Sequence, residues 1–193
     1  MKPALARLEL HHGPGFGDHG SRVAVLARAT AHHLGLNSRE TSRLRLAALV
    51  HDVGKTEIDP AILEKTAELT DDESAMIRRH PRSGHDQLVD VVHSSVAEAV
   101  LCHHERWDGA GFPNGLTRTE IPLFARIIFV ADAYDVMTTG RSYRSRMSVV
   151  EAGEELSRLA GSQFEPRIVD AFTSLRWDVL AAPTAPRRAT LAE

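Results

Sequence analysis

The chain has 193 residues, of which 42% are hydrophobic and 25% charged, and its formal net charge is −3 at pH 7. This length and composition predict about one globular domain with a buried core, and the small negative charge argues against an extended surface for binding nucleic acid. A single cysteine excludes an intrachain disulfide framework. The sequence shows no signal-peptide pattern and no apolar run of the ~18–20 residues that cross a bilayer. It therefore predicts a cytoplasmic protein.

The predicted elements are helices along the whole chain. Residues 1–17 carry glycine and proline breakers and are predicted to be an irregular segment or the remnant of a linker, residues 18–180 the domain, and residues 181–193 a flexible tail. Asp18 is the predicted N-cap of a first helix ending at Gly35, and Ser38 begins a second helix ending at Gly54. Further helix starts are predicted at Asp59 with Pro60, at three capping boxes (Thr70 with Glu73, Ser95 with Glu98, Ser148 with Glu151), and at Pro122 and Pro166. No segment shows sustained strand alternation, so the sequence predicts an all-α bundle of roughly seven to nine helices.

An aspartate inside the most apolar predicted helix is the first candidate for chemistry. Asp132 lies among Ile, Phe, Val and Ala in the segment IIFVADAYDVM. An unpaired buried carboxylate costs several kcal/mol or takes up a proton, so this residue should pair with an arginine or bind a metal ion. Asp135, three residues on, could share the same helix face or be solvated.

Histidines are the second set of candidates, because the chain contains 11 of them. His51 and Asp52 end an apolar helix, where a metal role and a favourable interaction with the helix dipole are about equally supported. Four other histidines also lie at predicted helix ends: His19, His80, His103 and His104. A helical bundle can bring such residues together at one site in its core.

The order and separation of these residues resemble a known family. His19, the pair His51–Asp52 and Asp132 are similar in arrangement to the HD superfamily of metal-dependent phosphohydrolases. The segment HHERWDGAGFPNGL, residues 103–116, resembles the HHExxDGxGYP loop of the HD-GYP family, and HDVGK, HPRSG, IPLFARIIFVADAYDVMTTGRSYR and GSQFEPRIVDAF follow in that family's order. The resemblance covers about residues 18–173 and implies an HD-type helical bundle.

The resemblance also implies an activity and a metal site. It implies a phosphodiesterase that hydrolyses cyclic di-GMP to pGpG, GMP or both, at a site of two or three divalent metal ions. By motif position, the implied ligands are His19, His51, Asp52, His80, His103, His104 and Asp132. Mixed imidazole and carboxylate ligation suits iron, manganese or zinc better than calcium, and the family resemblance favours iron or manganese.

The chain departs from the family pattern at two positions that bear on function. Members with a third metal ion carry a glutamate four residues before the first histidine, where this chain has Gly15, so two metal ions are expected. Phe112 replaces the signature tyrosine, which keeps the ring and removes one hydroxyl. The other loop residues that match the signature are Asp108, Gly109, Gly111 and Pro113, with Glu105 and Trp107 as expected supports. We expect this loop to turn tightly at its glycines and to form one wall of the site.

The implied mechanism uses a hydroxide shared between two metal ions. Asp52 would bridge the ions and help to hold the hydroxide, which attacks phosphorus in line. Lys55, one turn beyond Asp52, would hold the phosphate or protonate the departing 3′ oxygen. Arg141 and Arg144 would bind phosphate as planar forks.

Two other functions stay open from the sequence. One is a phosphodiesterase for another cyclic dinucleotide such as cyclic GMP-AMP, and the other is a catalytically silent module that binds cyclic di-GMP or a partner protein. The presence of every implied ligand and of Lys55 favours activity. A GGDEF-type protein or an upstream sensory domain is the expected partner, and neither a membrane nor a nucleic-acid polymer is expected to bind. The remaining histidines match no ligand position and are expected to be structural or solvated: His11, His12, His32, His33, His85 and His93.

Overall fold

A computed structural model describes residues 16–139 and 146–175, with side chains from His19 onward. Within those residues the chain forms nine α-helices, two short 3₁₀ helices and no strand, which confirms the predicted all-α bundle. None of the helices in these two ranges is long and apolar enough to span a bilayer. The helices are α1 (Phe16–His33), α2 (Ser38–Val50), α3 (Pro60–Leu63), α4 (Asp71–Ile77), α5 (His80–Leu88), α6 (Ser94–Cys102), α7 (Leu123–Thr139), α8 (Val149–Arg158) and α9 (Pro166–Thr173); the 3₁₀ helices are Val53–Glu57 and Arg118–Glu120.

Several predicted helix starts are confirmed. The Asp59 side chain accepts a hydrogen bond from the Ala61 amide and Pro60 occupies the first turn of α3. Reciprocal capping boxes join Thr70 to Glu73 and Ser148 to Glu151 at the starts of α4 and α8. Pro166 begins α9. Each of these capping signals acts within a few residues, so it does not depend on how the helix packs against the rest of the protein.

Three predicted boundaries were wrong. Helix α1 begins at Phe16, two residues before its predicted cap Asp18. Helix α2 begins at Ser38 as predicted, with Asn37 and Glu40 forming its capping box, but it ends at Val50 and not at Gly54. The chain after Asp52 tightens into the first 3₁₀ helix. At α6 the cap is His93, whose side chain accepts a hydrogen bond from the Ser95 amide, and this contact places the predicted cap Ser95 inside the helix.

The predicted domain boundaries fall largely outside the described residues. Residues 1–15 and 176–193 are not described, so the predicted tail 181–193 and the C-terminal boundary at residue 180 stay predictions. At the other end, α1 extends two residues into the predicted irregular segment 1–17.

The main core is built from α1, α2, α6, α7, α8 and α9. Alanines on several of these helices are fully buried and let the helix backbones approach closely, for example Ala27, Ala47 and Ala131. Gly20 marks a close contact between α1 and α2, because a Cβ there would lie 2.9 Å from the Leu49 carbonyl oxygen. This contact brings His19 beside His51, with ring centroids 5.3 Å apart.

A second close contact joins the first 3₁₀ helix to α5. A Cβ on Gly54 would lie 2.0 Å from the His80 carbonyl oxygen and 2.5 Å from the Gly84 amide nitrogen. Only a residue without a side chain allows this approach, which brings Asp52 beside His80.

Candidate metal centre

The seven side chains predicted as metal ligands meet in two groups. We call Asp52, His80, His103 and His104 the Asp52 group, and His19, His51 and Asp132 the His19 group. Within each group, one possible ligand atom from every side chain lies within 4.8 Å of the others. Most of these side chains are buried, although His19, His104 and Asp132 keep some exposure.

Backbone carbonyls fix the orientation of three histidine rings. The Nδ1 atoms of His51, His80 and His103 lie 2.8, 2.7 and 2.7 Å from the carbonyl oxygens of the residues three positions earlier. A carbonyl oxygen can only accept, so each Nδ1 donates, and in the neutral ring Nε2 carries a lone pair. All three rings therefore present a possible ligand atom on the side away from the backbone.

Asp52 lies between the two groups. Its Oδ1 is 3.3 Å from His80 Nε2 and 3.9 Å from His103 Nε2, whereas its Oδ2 is 3.6 Å from His51 Nε2. Lys55 Nζ donates to the same Oδ2 at 2.6 Å. Burial opposes ionisation of Asp52, but the neighbouring His51 and Lys55 outweigh it and hold the pKa of Asp52 well below its usual value. The carboxylate is thus charged and has one oxygen directed toward each group.

Several buried polar atoms in the centre suit a bound cation. His51 Nε2 and Asp52 Oδ1 are buried without a hydrogen-bond partner, and such orphaned groups are costly. His80 Nε2 and His103 Nε2 lie 3.2 Å apart, close enough for both nitrogens to bind the same cation.

The state of His103 and His104 also fits metal binding. Burial, followed by the proximity of His104, lowers the pKa of His103 well below its usual value. Burial and the nearby His80 lower the pKa of His104 to about 3. Both rings are therefore neutral near pH 7, and neutral imidazole is the form that binds metal ions.

His19 contacts a carboxylate at each of its two ring nitrogens. Its Nε2 lies 3.2 Å from Asp132 Oδ1 and its Nδ1 2.7 Å from Asp135 Oδ2. Burial lowers the pKa of His19, but the hydrogen bonds to Asp132 and Asp135 outweigh that effect and raise it to about 9. Burial opposes ionisation of Asp132 as well, and the hydrogen bond from His19 overcomes it and lowers the pKa of Asp132.

The pairing with an arginine considered for Asp132 occurs at Asp135 instead. Arg22 donates to both oxygens of Asp135, at 2.6 and 2.9 Å. Asp135 is also the more buried of the two aspartates, with 3% of its side chain exposed against 15% for Asp132. Of the two sequence alternatives, Asp135 shares the face of Asp132 and is not solvated.

The signature loop, residues 103–116, folds around a buried glutamate. Glu105 is 1% exposed, and its two carboxylate oxygens accept hydrogen bonds from the backbone amides of Asn114 and Leu116 at 2.6 and 3.0 Å. Its expected role as a support of the loop agrees with these contacts. Trp107, the other expected support, donates its amide to the Gln163 carbonyl, which ties the loop to the α8–α9 connection.

The glycines of the loop lie where side chains do not fit. Gly109 has a φ of +82°, and a Cβ on Gly111 would lie 2.2 Å from the Arg106 amide nitrogen. Asp108 accepts two hydrogen bonds from Arg106 and one from the Ala110 amide. These contacts hold the turn that carries Phe112.

Phe112 contacts the Asp52 group directly. Its ring stacks on the ring of His104, with centroids 4.9 Å apart and planes 26° apart. The Arg78 guanidinium lies over the same ring, 5.3 Å from its centroid. The residue after Phe112, Pro113, follows a cis peptide bond. The loop thus lies against the predicted site through Phe112, as expected of a wall.

Two predicted phosphate-binding residues, Arg141 and Arg144, lie outside the described residues, as does Gly15. Of the histidines predicted to be structural, His85 pairs with Asp86, His93 caps α6, and His33 contacts Ser174. None of these three belongs to the two groups. His11 and His12 also lie outside the described ranges.

One polar pair beside the centre, Arg22 with Asp135, was not predicted from the sequence. The signal was present as two spacings of three residues, His19 to Arg22 on α1 and Asp132 to Asp135 on α7, each of which puts two side chains on one helix face. What the spacings could not indicate is that the two faces meet.

Comparisons with known proteins agree with this fold. A family model described as HD domain matches residues 4–168. The chain is 37% identical over 170 residues to the cyclic di-GMP phosphodiesterase response regulator RpfG of Xanthomonas campestris pv. campestris, covering 86% of this chain and 45% of that protein. It is 40% identical over 134 residues to 3'3'-cGAMP-specific phosphodiesterase 1 of Vibrio cholerae, covering 69% and 31%. Among solved structures, Bd1817, a HDG"Y"P protein from Bdellovibrio bacteriovorus, matches with a TM-score of 0.69 at 23% identity, over 86% of this chain and 52% of that one.

The chain belongs to the HD domain family, and its signature loop resembles that of the HD-GYP type. It spans less than half the length of the two curated relatives described above. The combination of an all-α bundle with two histidine and aspartate groups that could hold metal ions fits the metal-dependent phosphohydrolases of this family.

Proposed function

We propose that this protein is a metal-dependent phosphodiesterase that hydrolyses cyclic di-GMP to pGpG, GMP or both. The observation that carries the proposal is the pair of adjacent ligand groups with Asp52 between them. Two neighbouring cation sites are the arrangement that hydrolyses phosphodiesters by in-line displacement. The similarity to curated cyclic di-GMP phosphodiesterases supports the choice of substrate.

Two divalent ions, iron or manganese, are the proposed cofactors. The Asp52 group would hold one ion and the His19 group the other. Imidazole nitrogens combined with carboxylate oxygens suit such intermediate ions better than calcium or magnesium. Bound ions of this kind lower the pKa of water and stabilise negative charge on phosphoryl oxygens.

Asp52 and Lys55 are the proposed catalytic residues. Lys55 Nζ lies 2.6 Å from Asp52 Oδ2, so its positive charge is held beside the carboxylate that joins the two groups. A phosphate oxygen arriving there would accept a hydrogen bond from Lys55, and the same ammonium group can pass a proton to the departing 3′ oxygen. Arg141 and Arg144 are proposed to bind phosphate on the family resemblance alone. A GGDEF-type or sensory partner likewise stays a prediction from that resemblance.

A phosphodiesterase for 3′3′-cyclic GMP-AMP is the second candidate. The supporting observation is the 40% identity over 134 residues to a relative with that specificity in its name, against 37% over 170 residues for the cyclic di-GMP relative. The metal centre would serve both reactions, since the two substrates share the phosphodiester linkage and differ in a base.

The test combines metal analysis with a product assay. The protein is purified without oxygen, its metal content is measured, and it is incubated with ferrous or manganous ions and either cyclic dinucleotide. We expect about two ions per chain and the formation of pGpG or GMP. Faster turnover of cyclic GMP-AMP would select the second candidate, and binding of cyclic di-GMP without a product would identify the silent module.

Two histidines of α5 provide a matched pair of variants. His80→Gln removes a member of the Asp52 group and should lose metal and activity. His85→Gln changes a histidine five residues on that pairs with Asp86 and belongs to neither group, so it should keep both. A folded wild-type protein that binds no metal would contradict the proposed function.

A further inference from the structure

Asp135 makes no predicted contact with a metal ion, yet it is buried against the His19 group. We propose that Asp135 is a positioning residue that orients His19, that Arg22 holds Asp135 in place, and that this relay sets the affinity of the His19 group for a metal ion. The inference rests on the metal centre of the proposed function and adds a residue to it.

The contacts define the direction of the relay. Asp135 Oδ2 lies 2.7 Å from His19 Nδ1, and because an ionised carboxylate only accepts, His19 donates through Nδ1. Its other nitrogen, Nε2, is left facing Asp132 Oδ1 at 3.2 Å. Arg22 donates from Nε to Oδ1 and from Nη2 to Oδ2 of Asp135. A fork with two parallel bonds fixes both the position and the plane of the carboxylate.

Helix α7 therefore supplies a carboxylate to each nitrogen of one ring. Asp132 and Asp135 lie three residues apart on the same face of α7, and His19 on α1 lies between them. Asp132 is partly exposed and belongs to the His19 group. Asp135 is 3% exposed and contacts both Nδ1 of His19 and the guanidinium of Arg22. One carboxylate is thus available as a ligand, while the other sets the orientation of the ring.

His19 differs from three other histidines of the centre in the group that orients its ring. His51, His80 and His103 are oriented by backbone carbonyls, which no substitution of a neighbouring side chain can remove. The orientation of His19 depends on a side chain. Loss of such a hydrogen-bond partner weakens metal affinity typically about 10- to 100-fold, and here the effect should be confined to the His19 group.

The experiment titrates metal-stripped protein with Co²⁺ and follows both heat and visible absorption. The wild-type protein should show two binding steps. Asp135→Asn keeps the shape of the side chain but cannot accept from Arg22 and His19 at both oxygens, so one step should weaken about 10- to 100-fold and its absorption spectrum should change. Asp170→Asn is the matched control, because Asp170 is an exposed aspartate on α9, and it should bind as the wild type does.

The variants His19→Ala and His80→Ala assign the two steps. Asp135→Asn should weaken the step that His19→Ala abolishes and should have no further effect on metal binding in the His19→Ala background. Unchanged binding by Asp135→Asn, an equal loss in both steps, or a further loss in the His19→Ala background would each overturn the proposal.

A second variant covers the case in which Asp135→Asn does not fold. Arg22 is 43% exposed, so Arg22→Gln should fold, and it should weaken the same step by a smaller factor; no change would overturn the relay. A wild-type protein that binds Co²⁺ in two steps but cleaves no cyclic dinucleotide would overturn the proposed function and leave this inference standing. A wild-type protein that binds no metal would overturn both.

Discussion

At the scale of single residues, three histidine rings contact the end of a helix with one nitrogen and present the other as a possible metal ligand. The carbonyls that His51, His80 and His103 contact belong to the last turns of α2, α4 and α6. Carbonyls in the last turn of a helix lack partners within the helix, and a ring N–H can satisfy them. The two interpretations of His51 from the sequence, a residue suited to a helix end and a metal ligand, are therefore compatible. Capping with Nδ1 is what directs Nε2 toward the centre.

Glu105 gives a test of the signature loop at this scale. We expect Glu105→Gln to lower the free energy of unfolding by about 1–3 kcal/mol, because the amide has one oxygen for the two backbone amides of Asn114 and Leu116. Urea unfolding of the metal-free protein measures the change.

Glu98→Gln is the control for that substitution. Glu98 lies exposed on α6, so its replacement should change stability by less than about 0.5 kcal/mol. Equal effects of the two substitutions would mean that the loop does not depend on the buried carboxylate.

At the scale of elements, the position of Asp52 depends on how the first 3₁₀ helix packs. The chain leaves α2 at Val50 and turns at Asp52 into Val53–Glu57, where Gly54 contacts the backbone of α5. Gly84 stands on the other side of this contact, and a Cβ there would meet Val100 and the Gly54 nitrogen at 3.0 and 3.2 Å. Two elements that each carry part of the Asp52 group are thus held at backbone distance.

The predicted consequence is that Gly54→Ala separates these elements. A methyl group 2.0 Å from the His80 carbonyl cannot be accommodated without a backbone shift, so we expect a loss of at least about 1–3 kcal/mol of stability together with weaker metal binding. Thermal unfolding and metal titration of the same samples measure both effects.

Gly153→Ala provides the opposite expectation on α8. A Cβ at Gly153 meets nothing within 4 Å, and replacing glycine inside a helix by alanine stabilises by roughly 0.5–1 kcal/mol. If Gly54→Ala proved as stable as Gly153→Ala, that result would contradict the close packing of the first 3₁₀ helix on α5.

At the scale of the whole molecule, the two groups connect most of the core helices. Their members come from α1, the residues directly after α2, the start of α5, the residues directly after α6 and the middle of α7. Bound ions would therefore join segments that are far apart in the sequence. Metal binding should add directly to folding stability, because the unfolded chain has no such arrangement of ligands.

Chelation should consequently lower the unfolding temperature. An ion present at about 100 times its dissociation constant contributes about 2.7 kcal/mol, so removing it should shift the midpoint by several degrees. Differential scanning calorimetry with and without chelator measures the shift. Asp132→Ala should abolish most of the contribution of the His19 group, and an unchanged chelator effect in that variant would contradict the assignment of Asp132.

How much of this could be predicted from the sequence depended on the range of the interaction. Thr70, Ser148 and Asp59 identified helix starts because a cap acts within three residues. The Ser95 box failed because His93 offered a competing cap two residues earlier. The seven candidate ligands came from motif resemblance, and the contact between Arg22 and Asp135 was missed because it joins helices 113 residues apart in sequence. Pairing across that distance is set by the packing of α1 on α7, which no local pattern encodes.

The chain order of the two groups has a consequence during synthesis. The Asp52 group is complete once residue 104 has been made, whereas the His19 group needs Asp132, which is 132 − 104 = 28 residues later. At translation rates of about 5–20 residues per second, that interval lasts about 1 to 6 s. During this interval the nascent chain contains every member of the Asp52 group, while the His19 group still lacks its only carboxylate, Asp132.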